Sequence, residues 1–172
     1  MISIKNINKI TTKRLILRKF NKNDLDDFSV IIGKDEIGKQ LPKGEGYSRK
    51  EAEKWLENIK NIWEDKNYGT WAVIKKETGD LIGHCGLNPV DELDEIEVLY
   101  AIDPVYWGKG YATEAASKTV DYGLEVIGLD NIIGLTKIGN RASERVLEKS
   151  GLIYVKEIDI FNMRCKLFEL QK

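Results

Sequence analysis

The segment from Glu97 to Ala116 holds the residues whose types and spacing point most directly to chemistry. Residues 96 to 102 are mostly β-branched, aromatic or aliphatic and favour a strand, which Asp103-Pro104 ends because proline cannot donate to a β-ladder. Gly108 and Gly110 then permit backbone angles that a Cβ would forbid, and good helix formers follow. The first N–H groups of that helix lack partners within it, so the turn is suited to hold an anion such as phosphate.

A Gly-x-Gly pair alone does not specify a phosphate site, because glycine also forms turns and helix ends without a ligand. A P-loop requires Lys-Ser or Lys-Thr after the glycines, and neither pair follows here. A dinucleotide fingerprint requires a third glycine, where Thr113 stands, and an acidic residue about 20 positions further on. Asp130 precedes the next apolar run rather than ending it. A nucleotide-binding protein stays an open alternative.

The loop Val105-Tyr-Trp-Gly-Lys-Gly110 resembles the Gln/Arg-x-x-Gly-x-Gly/Ala loop of the GNAT superfamily of N-acetyltransferases. The surrounding sequence is similar to the RimJ/RimL-type branch, and the matching segments are Glu97-x-x-Tyr100, Trp-Gly-Lys-Gly-Tyr-Ala-Thr-Glu-Ala, Asn140-x-x-Ser143 and Leu147-Glu-Lys-Ser-Gly151. The likeness extends from about Leu15 to the C-terminus. Val105 replaces the polar residue that opens the family motif. We expect the loop to tolerate this change, because main-chain N–H groups hold most of the phosphate in the family.

The resemblance implies acetyl-CoA as co-substrate and no metal. It places the CoA diphosphate on the main-chain amides of Trp107, Gly108, Lys109, Gly110, Tyr111, Ala112 and Thr113. It also implies that the strand before the loop diverges from the strand after the helix. Unpaired main-chain groups from Leu99 to Ile102, among them those of Leu99, Ala101 and Ile102, would then hold the pantetheine arm, and one N–H would face the thioester oxygen.

Glu97 matches the strand glutamate of Glu-x-Gly-Tyr sequences in RimJ/RimL-like proteins, although Leu99 stands where glycine is common. The resemblance implies that its carboxylate takes a proton from an ammonium substrate, which requires burial to raise its pKa. The alternative is a solvated glutamate at a sheet edge.

Asn140 and Ser143 match the Asn-x-x-Ser that opens the penultimate helix of the family. The resemblance implies that Asn140 fixes the pantetheine arm and that Ser143 lies near the sulfur as a proton donor. Ordinary helix-start roles also explain both residues. Tyr100 and Tyr154 are alternative phenol donors.

His84 and Cys85 are adjacent, so on a regular strand their side chains point to opposite faces and cannot form a catalytic dyad. We interpret His84 as a pocket-lining or structural residue. With Cys165 as the only other cysteine, the chain cannot build a Cys/His zinc cluster. We expect free thiols, and a disulfide is the alternative.

Five acidic residues lie between Asp91 and Glu97. They favour a cationic acceptor, such as a peptide N-terminus, a polyamine or an aminosugar, by steering and by discriminating against anions. The alternative is a charged hairpin that only confers solubility.

A chain of 172 residues with 42% hydrophobic content favours a single domain spanning residues 1–172. A net charge of −1 provides no basic field, so no nucleic-acid partner is expected. The start, from Met1 to Asn6, has no leader-like apolar core, and no long apolar run follows. We expect a cytoplasmic protein without a membrane partner, either a monomer or a homodimer.

The periodicity predicts an α/β (α+β) domain with a mixed, twisted sheet of about seven strands and about four helices. The first half is predicted to hold a strand from Arg14 to Phe20, a helix to Ile32, a loop from Gly33 to Gly46 with a short helical turn, and a helix capped by Ser48 and Glu51. An antiparallel meander follows over 69–76, 81–88 and 94–102. The last part is predicted to hold a helix over 112–126, a strand over 131–137, a helix over 140–149 and a hairpin over 152–160 and 164–170.

These features together predict an N-acetyltransferase that moves the acetyl group of acetyl-CoA to a primary amine by direct attack in a ternary complex. A non-catalytic module that senses acyl-CoA through the same pocket is the competing interpretation.

Overall fold

The computed structural model describes residues 7 to 171, so the start from Met1 to Asn6 lies outside the described residues. The strands are β1 (Lys9–Thr11), β2 (Leu15–Arg18), β3 (Thr70–Lys75), β4 (Leu81–Val90), β5 (Glu95–Ile102), β6 (Asn131–Lys137), β7 (Ile153–Ile160) and β8 (Met163–Gln171). The α-helices are α1 (Leu25–Ile32), α2 (Asp35–Gly38), α3 (Arg49–Lys66), α4 (Tyr111–Tyr122) and α5 (Arg141–Lys149). This confirms the predicted mixed α/β class, with slightly more strands and helices than expected.

The strands form one sheet in the order β1-β2-β3-β4-β5-β6-β8-β7. The predicted β3-β4-β5 meander is antiparallel, and β6 returns beside β5 in parallel after α4. β5 and β6 pair at one position, Glu97 with Ile133, near the start of both strands. They therefore diverge toward their carboxyl ends, as the family resemblance implied.

Local signals explain most element boundaries. Ser48 and Glu51 form the predicted capping box at the start of α3, each side chain accepting the other's main-chain N–H. The final hairpin turns at Phe161 and Asn162, whose φ angles of 54° and 58° give the left-handed pair that a tight hairpin prefers. β1 is the strand that the sequence did not predict, because three residues are too few to show a period of two.

The main core lies between the sheet and helices α3, α4 and α5, and its largest fully buried side chains include Trp71, Leu87, Ile132 and Phe168. A smaller cluster around the fully buried Phe28 packs α1 against α3. On the face of β3 opposite the main core, Ile31 of α1 packs with Ala72 and Ile74, so helices cover both faces of this part of the sheet. None of the helices between residues 7 and 171 is long and apolar enough to cross a lipid bilayer.

Candidate active site

The turn between β5 and α4 has the geometry of an anion-binding loop. Gly108 and Gly110 adopt positive φ angles of 75° and 81°, and α4 begins at the next residue. Within the described chain, the main-chain N–H groups of residues 108 to 113 have no hydrogen-bond acceptor. Consecutive free N–H groups at a helix N-terminus bind phosphate well. The loop thus fits the diphosphate of coenzyme A, and binding by its residues stays a prediction.

Trp107 differs from its neighbours in this loop. Its main-chain N–H already donates to the Pro104 carbonyl at 3.1 Å, and its indole Nε1 donates to the Ile102 carbonyl at 2.6 Å. The free N–H groups therefore begin at Gly108. The indole of Trp107 ties the loop to the end of β5, and its main-chain N–H closes the turn that begins at Pro104.

The direction of main-chain groups along β5 follows from one hydrogen bond. Asp103 N–H donates to the Ile82 carbonyl on β4 at 2.8 Å. Because directions alternate along an antiparallel pair, the main-chain groups of Ala101 and Leu99 also face β4. Those of Tyr100 and Ile102 face the space from which β6 has diverged. Their main-chain groups are placed to contact a pantetheine arm, and that contact stays a prediction. The main-chain groups of Leu99 and Ala101, which the resemblance also implied, face β4 instead.

Glu97 is partly buried on β5, opposite Asn88 of β4. Burial raises the pKa of its carboxyl to about 7, although the Asn88 amide at 3.4 Å lowers it in part and the charge of Glu92 raises it further. A carboxyl with this pKa exchanges protons near neutral pH, which suits a general base. The burial that the base hypothesis required is present.

Tyr100 is three positions after Glu97 on β5, so its side chain lies on the opposite face of the strand, where it meets Ser143. Tyr100 Oη lies 2.8 Å from Ser143 Oγ and donates to the Ser143 carbonyl at 3.0 Å. Burial raises the pKa of the Tyr100 phenol, and the Ser143 hydrogen bond lowers it in part. Asn140 caps α5, its Oδ1 accepting the Ser143 N–H at 3.2 Å. These residues form one hydrogen-bonded group beside the gap, the space that opens where β6 diverges from β5.

Comparison with known proteins decides the family. The model of the acetyltransferase (GNAT) domain matches residues 14–153. This chain belongs to the GNAT acetyltransferase family. An uncharacterised N-acetyltransferase of Bacillus licheniformis is 30% identical over 148 residues, with 83% of each chain covered. The predicted class of enzyme is therefore confirmed, and the family uses acetyl-CoA.

Two solved structures share the fold. An acetyltransferase from Agrobacterium tumefaciens superposes with a TM-score of 0.85 at 21% identity, covering 96% of this chain and 95% of that one. RimL, an alpha-N-protein acetyltransferase in complex with coenzyme A, superposes with a TM-score of 0.81 at 11% identity, covering 95% and 97%. The predicted likeness to the RimJ/RimL-type branch is confirmed at the level of fold.

In this GNAT acetyltransferase the loop over residues 107–113, called the diphosphate loop below for its proposed ligand, is held by residues that the sequence did not reveal. Arg14 donates from Nη1 to the Lys109 carbonyl at 2.9 Å and from Nε to Glu114 at 2.8 Å, and its guanidinium lies 4.2 Å from the centre of the Tyr111 ring. Arg14 and Glu114 are 100 positions apart, so no local spacing could pair them. From the sequence alone Arg14 was only the start of a strand.

His84 and Cys85 point to opposite faces, as predicted. His84 packs against Phe28 and Trp55, with ring centres 5.8 and 5.2 Å away, and burial lowers its pKa to about 4. Cys85 lies in the main core, 3.3 Å from the Thr119 hydroxyl, and burial raises its pKa to about 12. Residues 7 to 171 contain no group of three or more His, Cys, Asp or Glu side chains that could hold a metal ion.

Proposed function

We propose that this GNAT acetyltransferase transfers the acetyl group of acetyl-CoA to a primary amine by direct attack in a ternary complex. One observation carries the proposal. β5 presents Glu97, whose carboxyl has a pKa of about 7, on one face and the Tyr100–Ser143 hydroxyl pair on the other. Glu97 lies where β5 still pairs with β6, at the closed end of the gap, and Tyr100 lies in the stretch beyond it from which β6 has diverged. A base and an acid therefore approach the gap from opposite sides.

When bound, acetyl-CoA supplies the thioester carbonyl on which the amine acts. Glu97 takes a proton from the ammonium form of the acceptor, and the freed nitrogen forms a bond with the carbonyl carbon. The Tyr100–Ser143 pair gives a proton to the sulfur as the C–S bond breaks, and the second proton of the attacking nitrogen leaves as the amide forms and restores the pair through solvent. The main-chain N–H of Tyr100 or Ile102 is placed to stabilise charge on the carbonyl oxygen.

The two cysteines support direct attack rather than a covalent acetyl-enzyme. Cys85 and Cys165 are free thiols, and both are buried. Burial raises the pKa of each thiol, with the charge of Glu97 contributing at Cys165. Since the thiolate is the nucleophilic form, neither cysteine is suited to accept the acetyl group.

The acidic residues near the start of β5 support a cationic acceptor. Asp91, Glu92 and Asp94 are exposed, and they lie at the same end of the strand as Glu97. Their charge attracts an ammonium group and repels carboxylates. We therefore infer that the acceptor is a peptide N-terminus, a polyamine or an aminosugar.

Release of free thiol from acetyl-CoA across a panel of amines tests the proposal. We expect release with at least one cationic primary amine and none with its N-acetylated form, and mass spectrometry should show one added acetyl group. Incubation without an amine should leave the protein unacetylated. Binding of coenzyme A without thiol release for any amine would contradict the proposed reaction.

A further inference from the structure

Glu114 in the first turns of α4 is the centre of a hydrogen-bond network that reaches the start of β2. Its carboxylate accepts the Thr12 hydroxyl at 2.5 Å, the Arg14 main-chain N–H at 2.9 Å and Arg14 Nε at 2.8 Å. The side chain of Glu114 is 19% exposed. Desolvation raises its pKa, but these hydrogen bonds outweigh that effect, so the pKa is lowered and the group is a carboxylate at neutral pH.

This carboxylate lies beside the loop that is suited to hold a diphosphate. Glu114 N–H closes the first helical hydrogen bond with the Gly110 carbonyl at 3.0 Å. A carboxylate near a helix N-terminus is favourable by itself, but it opposes a second anion at the same end of the helix. An enzyme that binds coenzyme A here has to offset this negative charge.

Arg14 supplies the opposite charge and also holds the loop. Its guanidinium pairs with Glu114, donates to the Lys109 carbonyl and stacks on the Tyr111 ring. It also lies 3.4 Å from the position of a Cβ on Gly110. One side chain therefore contacts the carboxylate, the loop main chain and the first residue of α4.

We propose that Arg14 is a positioning residue for coenzyme A, which offsets the charge of Glu114 and fixes the diphosphate loop through the Lys109 carbonyl. The proposal rests on the proposed function, in which residues 108 to 113 bind the diphosphate. It assigns to Arg14 a role in cofactor affinity rather than in the chemical step.

Calorimetric titration of coenzyme A into wild type, Arg14→Met, Glu114→Gln and the double variant tests the assignment. Arg14→Met should weaken binding about fivefold or more, because it leaves the Glu114 charge uncompensated. Glu114→Gln should bind at least as tightly as wild type, and the double variant should bind more tightly than Arg14→Met but, without the Lys109 contact, less tightly than Glu114→Gln. A role confined to fold stability predicts instead that both single variants weaken binding and that the double variant is no better.

Lys13→Ala is the matched control. Lys13 is the exposed neighbour of Arg14, and within the described residues it makes no hydrogen bond or ion pair with the loop. Lys13 and Arg14 line one surface pocket beside the loop, but only Arg14 contacts the loop, so removal of Lys13 should cost less affinity than Arg14→Met does. Equal losses for Lys13→Ala and Arg14→Met would overturn the proposal. Wild-type protein that fails to bind coenzyme A would instead remove the proposed function.

Discussion

The hydroxyl groups of Tyr100 and Ser143 lie 2.8 Å apart and join β5 to α5 beside the gap in the sheet. The sequence offered the two residues as rival proton donors. Because they share a hydrogen bond, we expect a proton given up by one to be replaced from the other, so that the pair acts as one acid. The proton donor is therefore the hydrogen-bonded pair rather than Tyr100 or Ser143 alone in this hypothesis.

Tyr100→Phe and Ser143→Ala test this unit. Each change should lower kcat about 100-fold, which is typical of losing a general acid, with little change in KM for acetyl-CoA. Residues that act together are not additive, so the double variant should be no slower than the worse single variant. Steady-state thiol release measures all three.

Tyr154→Phe provides the comparison for this pair. Tyr154 is 48% exposed on β7 and packs against Phe168, so its hydroxyl should be dispensable. Wild-type rates for Tyr100→Phe together with a slow Tyr154→Phe would transfer the acid role to Tyr154.

The pH dependence of turnover should report Glu97. Since the base has to be ionised, kcat/KM should rise with pH through an apparent pKa of about 7. In Glu97→Gln this limb should vanish, turnover should fall about 100-fold, and the titration of the amine itself should remain. Rates measured from pH 5.5 to 9 with one acceptor separate the limb that reports Glu97 from the limb that reports titration of the amine. A limb near pH 7 that persists in Glu97→Gln would exclude this residue as the base.

The same pKa has a consequence for stability. The pKa of Glu97 is raised from 4.5 to about 7 in the folded protein, so the unfolded chain loses this proton first as pH rises. The raised pKa therefore lowers the free energy of unfolding between pH 4.5 and 7, by about 2 kcal/mol after allowance for partial solvent contact. Glu97→Gln should gain stability over wild type at pH 8 but not at pH 4.5. Denaturant unfolding at both values measures this difference.

Local sequence patterns predicted much of the fold. The Ser48–Glu51 capping box, the turn at Phe161 and Asn162 and the glycine loop each depend on residues close together in the chain. Their physical causes, such as caps and positive φ angles, are readable from residue type and spacing. Local patterns did not predict which main-chain groups of β5 face β4, because that depends on the register between the two strands, which a strand pattern does not specify.

Most of the site's side-chain contacts were beyond such patterns. Arg14 meets Glu114, and Tyr100 meets Ser143 across 43 positions, through the packing of α4 and α5 on the sheet. The family resemblance named Tyr100 and Ser143 but did not pair them. The pKa of Glu97 also depends on burial, which its acidic sequence neighbours would not suggest.

Gly110→Ala should separate loop function from backbone strain. Gly110 has a φ of 81°, and an added Cβ would lie 3.4 Å from Arg14 Nη2. We expect a loss of about 1 kcal/mol in stability and at least a fivefold loss in coenzyme A affinity. Gly128→Ala is the control, because Gly128 also has a φ of 81° but lies beyond the C-terminal end of α4, where an added Cβ would have no atom within 4 Å. It should lose similar stability and keep its affinity, whereas equal affinity losses would contradict the loop assignment.

The two polar side-chain atoms of Asn140, Oδ1 and Nδ2, have different surroundings. Its Oδ1 caps α5 by accepting the Ser143 N–H, whereas its Nδ2 has no acceptor within residues 7 to 171 and is free to donate to a pantetheine carbonyl. Asn140→Asp keeps the cap and loses this donor, so it should keep the wild-type melting temperature and raise KM for acetyl-CoA about fivefold. Asn140→Ala loses both and should also cost about 1 kcal/mol of stability. If Asn140→Asp has the wild-type KM, then Asn140 serves as a helix cap only.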